Sequence, residues 1–364
     1  MMTKLHTPLC DLLGTRLPII QAPMAGGPTT PALVAAASKA GALGSFGFAY
    51  TQPEAMQRDV EAVRALTDTP INLKCFVSAQ PAAIAPEAQS GAINAIAGYY
   101  QALGLPVPAP VRAPYAPDLS AQLSMAEHIQ PAVVTFHLSD LPAEKLNRLR
   151  ARGIKTGGSA TCVAEALHLE ALGVDFIIAQ GGEAGGHRGT FQRNPYDAMT
   201  GTFALTRLIV RAVKIPVVAA GGIMDGAGIA AVLALGAQGA QLGTAFLPCT
   251  ESGASAIHKQ SLLAAREDTT TVTEKFTGKP ARALVNRFIR EMNASSAPQL
   301  EFPAQGSLSG PLRTASGKAG NPDFLAMWAG QAAPLSREMS TAQLVVTLEH
   351  ETLEAIERLV ALCR

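Results

Sequence analysis

The chain is short of charge, of aromatic rings and of paired cysteines, and each shortage excludes something. Charged residues make up 16% of the sequence and aromatics 5%, and the formal net charge is +1. That balance gives no broad field for nucleic acid or an acidic membrane, and no run of Lys and Arg forms a basic arm. The five cysteines (Cys10, Cys75, Cys162, Cys249, Cys363) are scattered, odd in number and without CxxC spacing. They make neither a disulfide framework nor a zinc site, no metal is expected, and the usage is that of reduced thiols in a cytoplasm. Cys75 and Cys162 read as small core residues. No charge-free apolar stretch is long enough to span a bilayer. The opening "MMTKLHTPLCDLLG" has no long apolar segment, so no signal peptide or membrane partner is expected.

What is abundant is apolar: 48% of 364 residues, enough for a large buried core. Short apolar runs occur at 18–22, 42–47, 71–77, 132–138, 153–157, 175–180, 216–220 and 240–246. They are apolar nearly throughout rather than alternating, as parallel strands buried on both faces are. Alanine-rich helical patterns lie between them. One has Thr30 as N-cap, Pro31 at the first position and Gly41 past the end; a second runs from Thr161, with Glu165 nearby, to Gly173; a third from Asp225 to Gly236. Three such strand–loop–helix units argue for βαβ architecture, and eight strands predict an α/β fold of the (β/α)8 TIM-barrel type rather than a doubly wound sheet. The barrel occupies 1–250, with a Pro/Ala-rich insertion at 78–131 after strand three. A mostly helical lobe over the barrel mouth follows at 251–340. The segment 341–364 reads as one amphipathic helix packing back on the barrel.

Glycine clusters fall where such a barrel works, at the C-terminal ends of its strands. "APMAGGPTTP" follows strand one, "QGGEAGGHRG" strand six, "AAGGIMDGAG" strand seven, and "QLGTAF" ends strand eight. Glycine loops after the last two strands let backbone N–H groups approach a phosphate. The ligand so held is FMN, a sugar phosphate or pyridoxal phosphate. Lys74 and Lys155, in strand-like runs, keep a Schiff base open. Asn72, Gln180 and His137, polar groups at strand ends, favour a flavin ring.

Four stretches then resemble the nitronate monooxygenases, once called 2-nitropropane dioxygenases: "PIIQAPMAGGPTTPALVAAASKAGALG", "AQGGEAGGHRGTF", "IPVVAAGGI" and "AQLGTAFL". "YYQALGLPVPAP", "FTGKPARALVNRFIREM" and "MWAGQ" are similar to the class I members of that family. The resemblance implies an FMN-containing TIM barrel with a lobe covering the flavin. Its implied activity is oxidation of alkyl nitronates, such as propionate 3-nitronate, by O2 to an aldehyde-type product and nitrite. It implies cofactor contacts at Pro23, Met24, Asn72, His137, Gln180, Gly181, Gly185, Gly221, Gly222, Gln241, Gly243 and Thr244. It makes His187 the catalytic residue, acting as a hydrogen-bond donor to the nitronate or as a base toward a neutral nitroalkane. Phe324, Trp328 and Gln331 are candidates for the substrate pocket, with lobe core as the competing reading. Arg188 either raises the potential for anions or faces solvent, and Glu183 is either a supporting partner or a surface turn residue. Gly157–Gly158 depart from the family pattern near strand five, which bears on the pocket floor. His6, His128, His168, His258 and His350 are expected to be packed or solvated. The rival reading is an NAD(P)H-dependent flavin reductase on the same scaffold, of enoyl-ACP or quinone reductase type. "GGHRGTF" is the feature that speaks against it.

Overall fold

The barrel strands form where the apolar runs predict them. In the computed structural model, which describes residues 4–79 and 83–363, the strands are β1 (Ile19–Gln21), β2 (Gly44–Gly47), β3 (Ile71–Phe76), β4 (Val133–His137), β5 (Lys155–Ala160), β6 (Phe176–Gln180), a two-residue β7 (Gly186–His187), β8 (Val217–Ala220), β9 (Gly239–Leu242), β10 (Thr270–Thr273) and β11 (Ala281–Leu284). Eight of them form one parallel sheet in the order β1-β9-β8-β6-β5-β4-β3-β2. Hydrogen bonds from Gln21 N to Leu43 O (3.1 Å) and from Leu43 N to Ile19 O (2.8 Å) close it into a (β/α)8 barrel.

Two strand ends differ from expectation for local reasons. β4 stops at His137 because Leu138 takes a left-handed backbone (φ 80°), which turns the chain sharply beside the barrel mouth. β5 runs three residues further than 153–157, straight through Gly157 and Gly158. A Cβ at Gly157 would sit 2.4 Å from the Phe176 ring, so that glycine makes room for barrel core and has no part in a pocket floor.

Thr30 caps its helix by accepting from Leu33 N (3.1 Å), and Asp225 caps another by accepting from Gly228 N (2.8 Å). For the helix Val163–Leu172 the N-cap is Cys162; the Thr161 hydroxyl and N–H are held instead by the Glu165 carboxylate. The final helix, Thr341–Ala361, is opened by a capping box between Ser340 and Gln343 and packs on the barrel helices Gly226–Ala234 and Pro31–Lys39.

The lobe is less helical at its start than its sequence suggests. β10 and β11 form a hairpin turning through Gly278 (φ 83°), and only Arg287–Asn293 of that stretch is helix. β11 then pairs with β7 (Ala281 with His187, Arg282 with Gly186), so the lobe is sewn to the loop after β6. The reverse holds for residues 294–323, rich in Gly, Ser and Pro, which contain the helix Ala304–Lys318 with Pro311 inside it. Burial of Leu308 and Leu312 against Phe276 and Phe288 outweighs its poor helix propensity. The insertion contributes helices Pro86–Ala102 and Leu119–Ile129, with Gln80 to Ala82 outside the described residues. Ile93, Ile96 and Tyr100 of the first join the lobe core, and Tyr100 Oη donates to Leu308 O (2.6 Å). Among the described residues no helix is long and apolar enough to cross a membrane.

Candidate active site

A cavity of about 720 Å³ lies at the C-terminal ends of the barrel strands, between them and the lobe. Barrel residues make its floor and the helix Ala304–Lys318 helps to make its roof. His187 stands in its wall, 8% exposed, inside a cage of rings: Phe76, Phe302 and Trp328 have centroids 5.6, 5.5 and 5.4 Å away.

The loop that carries His187 is held from several sides. Gln180 Nε2 donates to the His187 carbonyl (2.9 Å), and its Oε1 accepts from Gly189 N (2.7 Å). His137 Nε2 donates to the same carbonyl (3.0 Å). Arg188 is wholly buried, facing neither solvent nor the cavity; it donates to the carbonyls of Gly181, Gln180 and Ala198. Glu165 accepts from the N–H groups of Phe191 (2.7 Å) and Gln192 (3.1 Å). Glu183 takes the supporting role, receiving Thr202 N and Oγ1 at the start of the helix Thr202–Ala212. The glycine density follows from these close approaches. A Cβ at Gly185 would lie 2.6 Å from the Ala329 carbonyl carbon, and one at Gly189 2.6 Å from the His137 ring. Lobe backbone and a second imidazole press on the loop, and only glycine admits them.

His187 Nε2 meets Thr277 Oγ1 (2.9 Å), whose hydroxyl also reaches the Lys279 carbonyl (3.2 Å). With the hydroxyl proton on that carbonyl, His187 carries its own proton on Nε2, and Nδ1 is the lone-pair nitrogen that can accept a proton. Burial, with the charges of Lys279, Arg313 and Lys74, drives its pKa down to about 3. The free imidazole is therefore neutral, and a bound anion, by offsetting those cations, moves its pKa up. His137 is also held well below its usual value, by burial first and by Lys74 second. No Asp or Glu is among the described residues that line the cavity, whereas Lys74, Arg313 and Lys318 all are.

The predicted contacts divide into two groups. Pro23, Met24, His137, Gln180, Gly185, Gly221, Gly222, Gln241, Gly243, Thr244, His187 and Trp328 all line the cavity. Four do not. Asn72 points into the barrel one layer too deep, its amide taken up by Ser45 Oγ (3.2 Å) and Thr135 Oγ1 (3.1 Å). Gly181 is packed beneath the loop against Thr202. Phe324 is lobe core, beside Tyr99 and Phe288. Gln331 is exposed, tied through its N–H to the Glu183 carbonyl.

A family profile described as "Nitronate monooxygenase" matches residues 6–351. The nitronate monooxygenase of Paraburkholderia phytofirmans is 42% identical over 354 residues, covering 96% of each chain. The chain belongs to the nitronate monooxygenase family. Among solved structures, a nitroalkane oxidase from Streptomyces ansochromogenes superposes with TM-score 0.89 at 40% identity, over 96% of this chain and 99% of that one. FabK from Thermotoga maritima gives TM-score 0.77 at 28% identity, over 98% and 99%.

As a member of that family the chain is an oxidoreductase, and its cavity suits a flavin. Gly221 and Gly222 have positive φ (119° and 69°) and stand with Gly243 and Thr244 in the wall, a backbone cradle for a phosphate. Gln241 Oε1 and His137 Nδ1 are buried acceptors without a partner among the described residues, and a ring N–H would satisfy one. Two cavity residues, Phe302 and Arg313, carried no sequence signal; they lie more than a hundred positions along the chain from His187. His258, packed in its helix as expected, also reaches the wall, its Nε2 unpartnered among the described residues and its pKa lowered to about 4 by burial.

Proposed function

We propose that this chain oxidises alkyl nitronates, such as propionate 3-nitronate, with O2 in an FMN-dependent reaction that gives an aldehyde- or ketone-type product and nitrite. The observation that carries the reading is His187, buried among three aromatic rings in a cavity wall that, among the described residues, holds cations and no carboxylate, a setting for a small organic anion. The glycine cradle after β8 and β9 would hold the FMN phosphate. Bound there, FMN supplies the electron-transfer and O2 chemistry that no side chain provides.

The protein's own groups account for the rest. Arg313 and Lys318, in the same wall, supply positive potential to draw in and hold the nitronate. Phe76, Phe302 and Trp328 exclude water, which strengthens that attraction. With a neutral nitroalkane, His187 Nδ1 takes the α-proton, and the conjugate imidazolium is stabilised by the nitronate beside it. The test is the variant His187→Asn in FMN-loaded form. We expect it to keep FMN and lose most nitrite release; full activity would overturn the role of His187. The second reading is the NAD(P)H-dependent flavin reductase on the same scaffold. Anaerobic bleaching of the bound flavin by NADH or NADPH would support it.

A further inference from the structure

We propose that Lys74 is the strand-three residue that meets the flavin, its ammonium donating to the pyrimidine end of the ring and stabilising the negative charge that gathers there. This rests on the cofactor reading above and goes further, because it gives a named charge a named partner.

Strand parity and depth argue for it. Side chains of β3 alternate, so Asn72, Lys74 and Phe76 share the inward face. Asn72 is consumed in a polar layer that runs from Gln21 through Ser45 to Thr135. Phe76 belongs to the ring cage around His187. Lys74, between them, lines the cavity at 7% exposure.

Its isolation argues for a ligand. Among the described residues Lys74 has neither an ion pair nor a side-chain hydrogen bond, and the cavity wall offers no carboxylate. Burial alone draws its pKa down to about 7, with no protein group offsetting the loss of water. A lone buried ammonium is costly unless something accepts its hydrogen bonds. The other buried cations are engaged: Arg188 donates to three carbonyls and Arg282 Nε to Gly182 O (3.1 Å), while the half-buried Arg313 keeps Nη2 on Gly306 O (2.8 Å) with its Nε unpartnered among the described residues. An ammonium has three donors and no acceptor. The pyrimidine end of a flavin presents carbonyl oxygens and a ring nitrogen as acceptors, and its single N–H suits the unpartnered Gln241 Oε1. The two orphaned groups on the floor are complementary to the two kinds of site on that edge.

The experiment is a sulfite titration of FMN-loaded protein, followed by loss of the flavin's visible absorbance. Sulfite bonds to the oxidised ring and leaves negative charge on the pyrimidine end, so its Kd reports stabilisation there without any nitronate turnover. For Lys74→Met we expect FMN to stay bound and the sulfite Kd to weaken by at least about tenfold, as for loss of one close charge at a partly buried site. Lys74→Arg should remain within about threefold of the parent. If the Met variant does not fold, Lys74→Gln carries the same expectation. An unchanged sulfite Kd in the neutral variant overturns the proposal, including when the nitronate KM rises, for then the lysine serves the substrate. Parent protein that takes up no FMN overturns the cofactor reading and this proposal together, and that is read before any variant is made.

Discussion

Arg188 is the residue whose removal should be felt most, although it touches neither the cavity nor solvent. Arg188→Met keeps the length of the side chain and deletes the guanidinium. Three carbonyls lose their donor: Gly181 (2.5 Å), Gln180 (3.1 Å) and Ala198 (2.8 Å). At about 2 kcal/mol for each buried acceptor left unsatisfied, the gross loss is about 6 kcal/mol. Part of it returns, because the buried charge is itself unfavourable: burial lowers the Arg188 pKa from 12.5 to about 10. That shift corresponds to about 3 kcal/mol of relief when the charge goes. The net expectation is a destabilisation of about 3 kcal/mol, concentrated where the loop joins β6. Equilibrium urea unfolding at neutral pH measures it, and limited proteolysis between residues 181 and 199 localises it. A variant within about 0.5 kcal/mol of the parent, with the loop equally resistant, would refute the view that Arg188 is the clamp of this loop.

Three other outcomes follow from the same geometry. Thr277→Val removes the acceptor of His187 Nε2–H while keeping the side-chain volume; it should cost about 1–3 kcal/mol and lower kcat, and unchanged kinetics would contradict the assigned tautomer. His187 is neutral when folded and protonated below about 6.5 when unfolded, so the unfolded state binds the extra proton and stability falls as pH drops from 6.5 toward 3. The part due to His187 is about 2 kcal/mol at pH 5, seen as a shallower pH dependence of the urea midpoint in His187→Gln; parallel curves would contradict it. Arg313→Met should raise the nitronate KM by about tenfold with a smaller effect on kcat, and an unchanged KM would remove Arg313 from anion binding.

The barrel was legible because its strands are buried on both faces and so write themselves as continuous apolar runs. The loop around His187 was legible because glycines at close approaches leave a mark in the sequence, whereas the role expected of His187 came from the family resemblance. The lobe was harder. Its hairpin exists by pairing β11 with β7, nearly a hundred residues away, and the helix Ala304–Lys318 forms through burial that overrides its glycines and Pro311. The two-residue alternation of a strand puts Asn72 and Lys74 on the same inward face but says nothing of depth, and depth decides which of them reaches the cavity. The contact of Thr277 with His187 was not legible, although Thr277 lies in the quoted stretch "FTGKPARALVNRFIREM", since nothing local ties a hairpin threonine to an imidazole.

The most direct measurement mixes FMN-loaded protein with propionate 3-nitronate in air, following O2 uptake and nitrite, with NADH in a parallel cell. Rapid O2 consumption with nitrite release and no NADH oxidation is the predicted result. Flavin reduction by NADH with no nitrite from the nitronate would contradict it and place the chain's chemistry with the reductases.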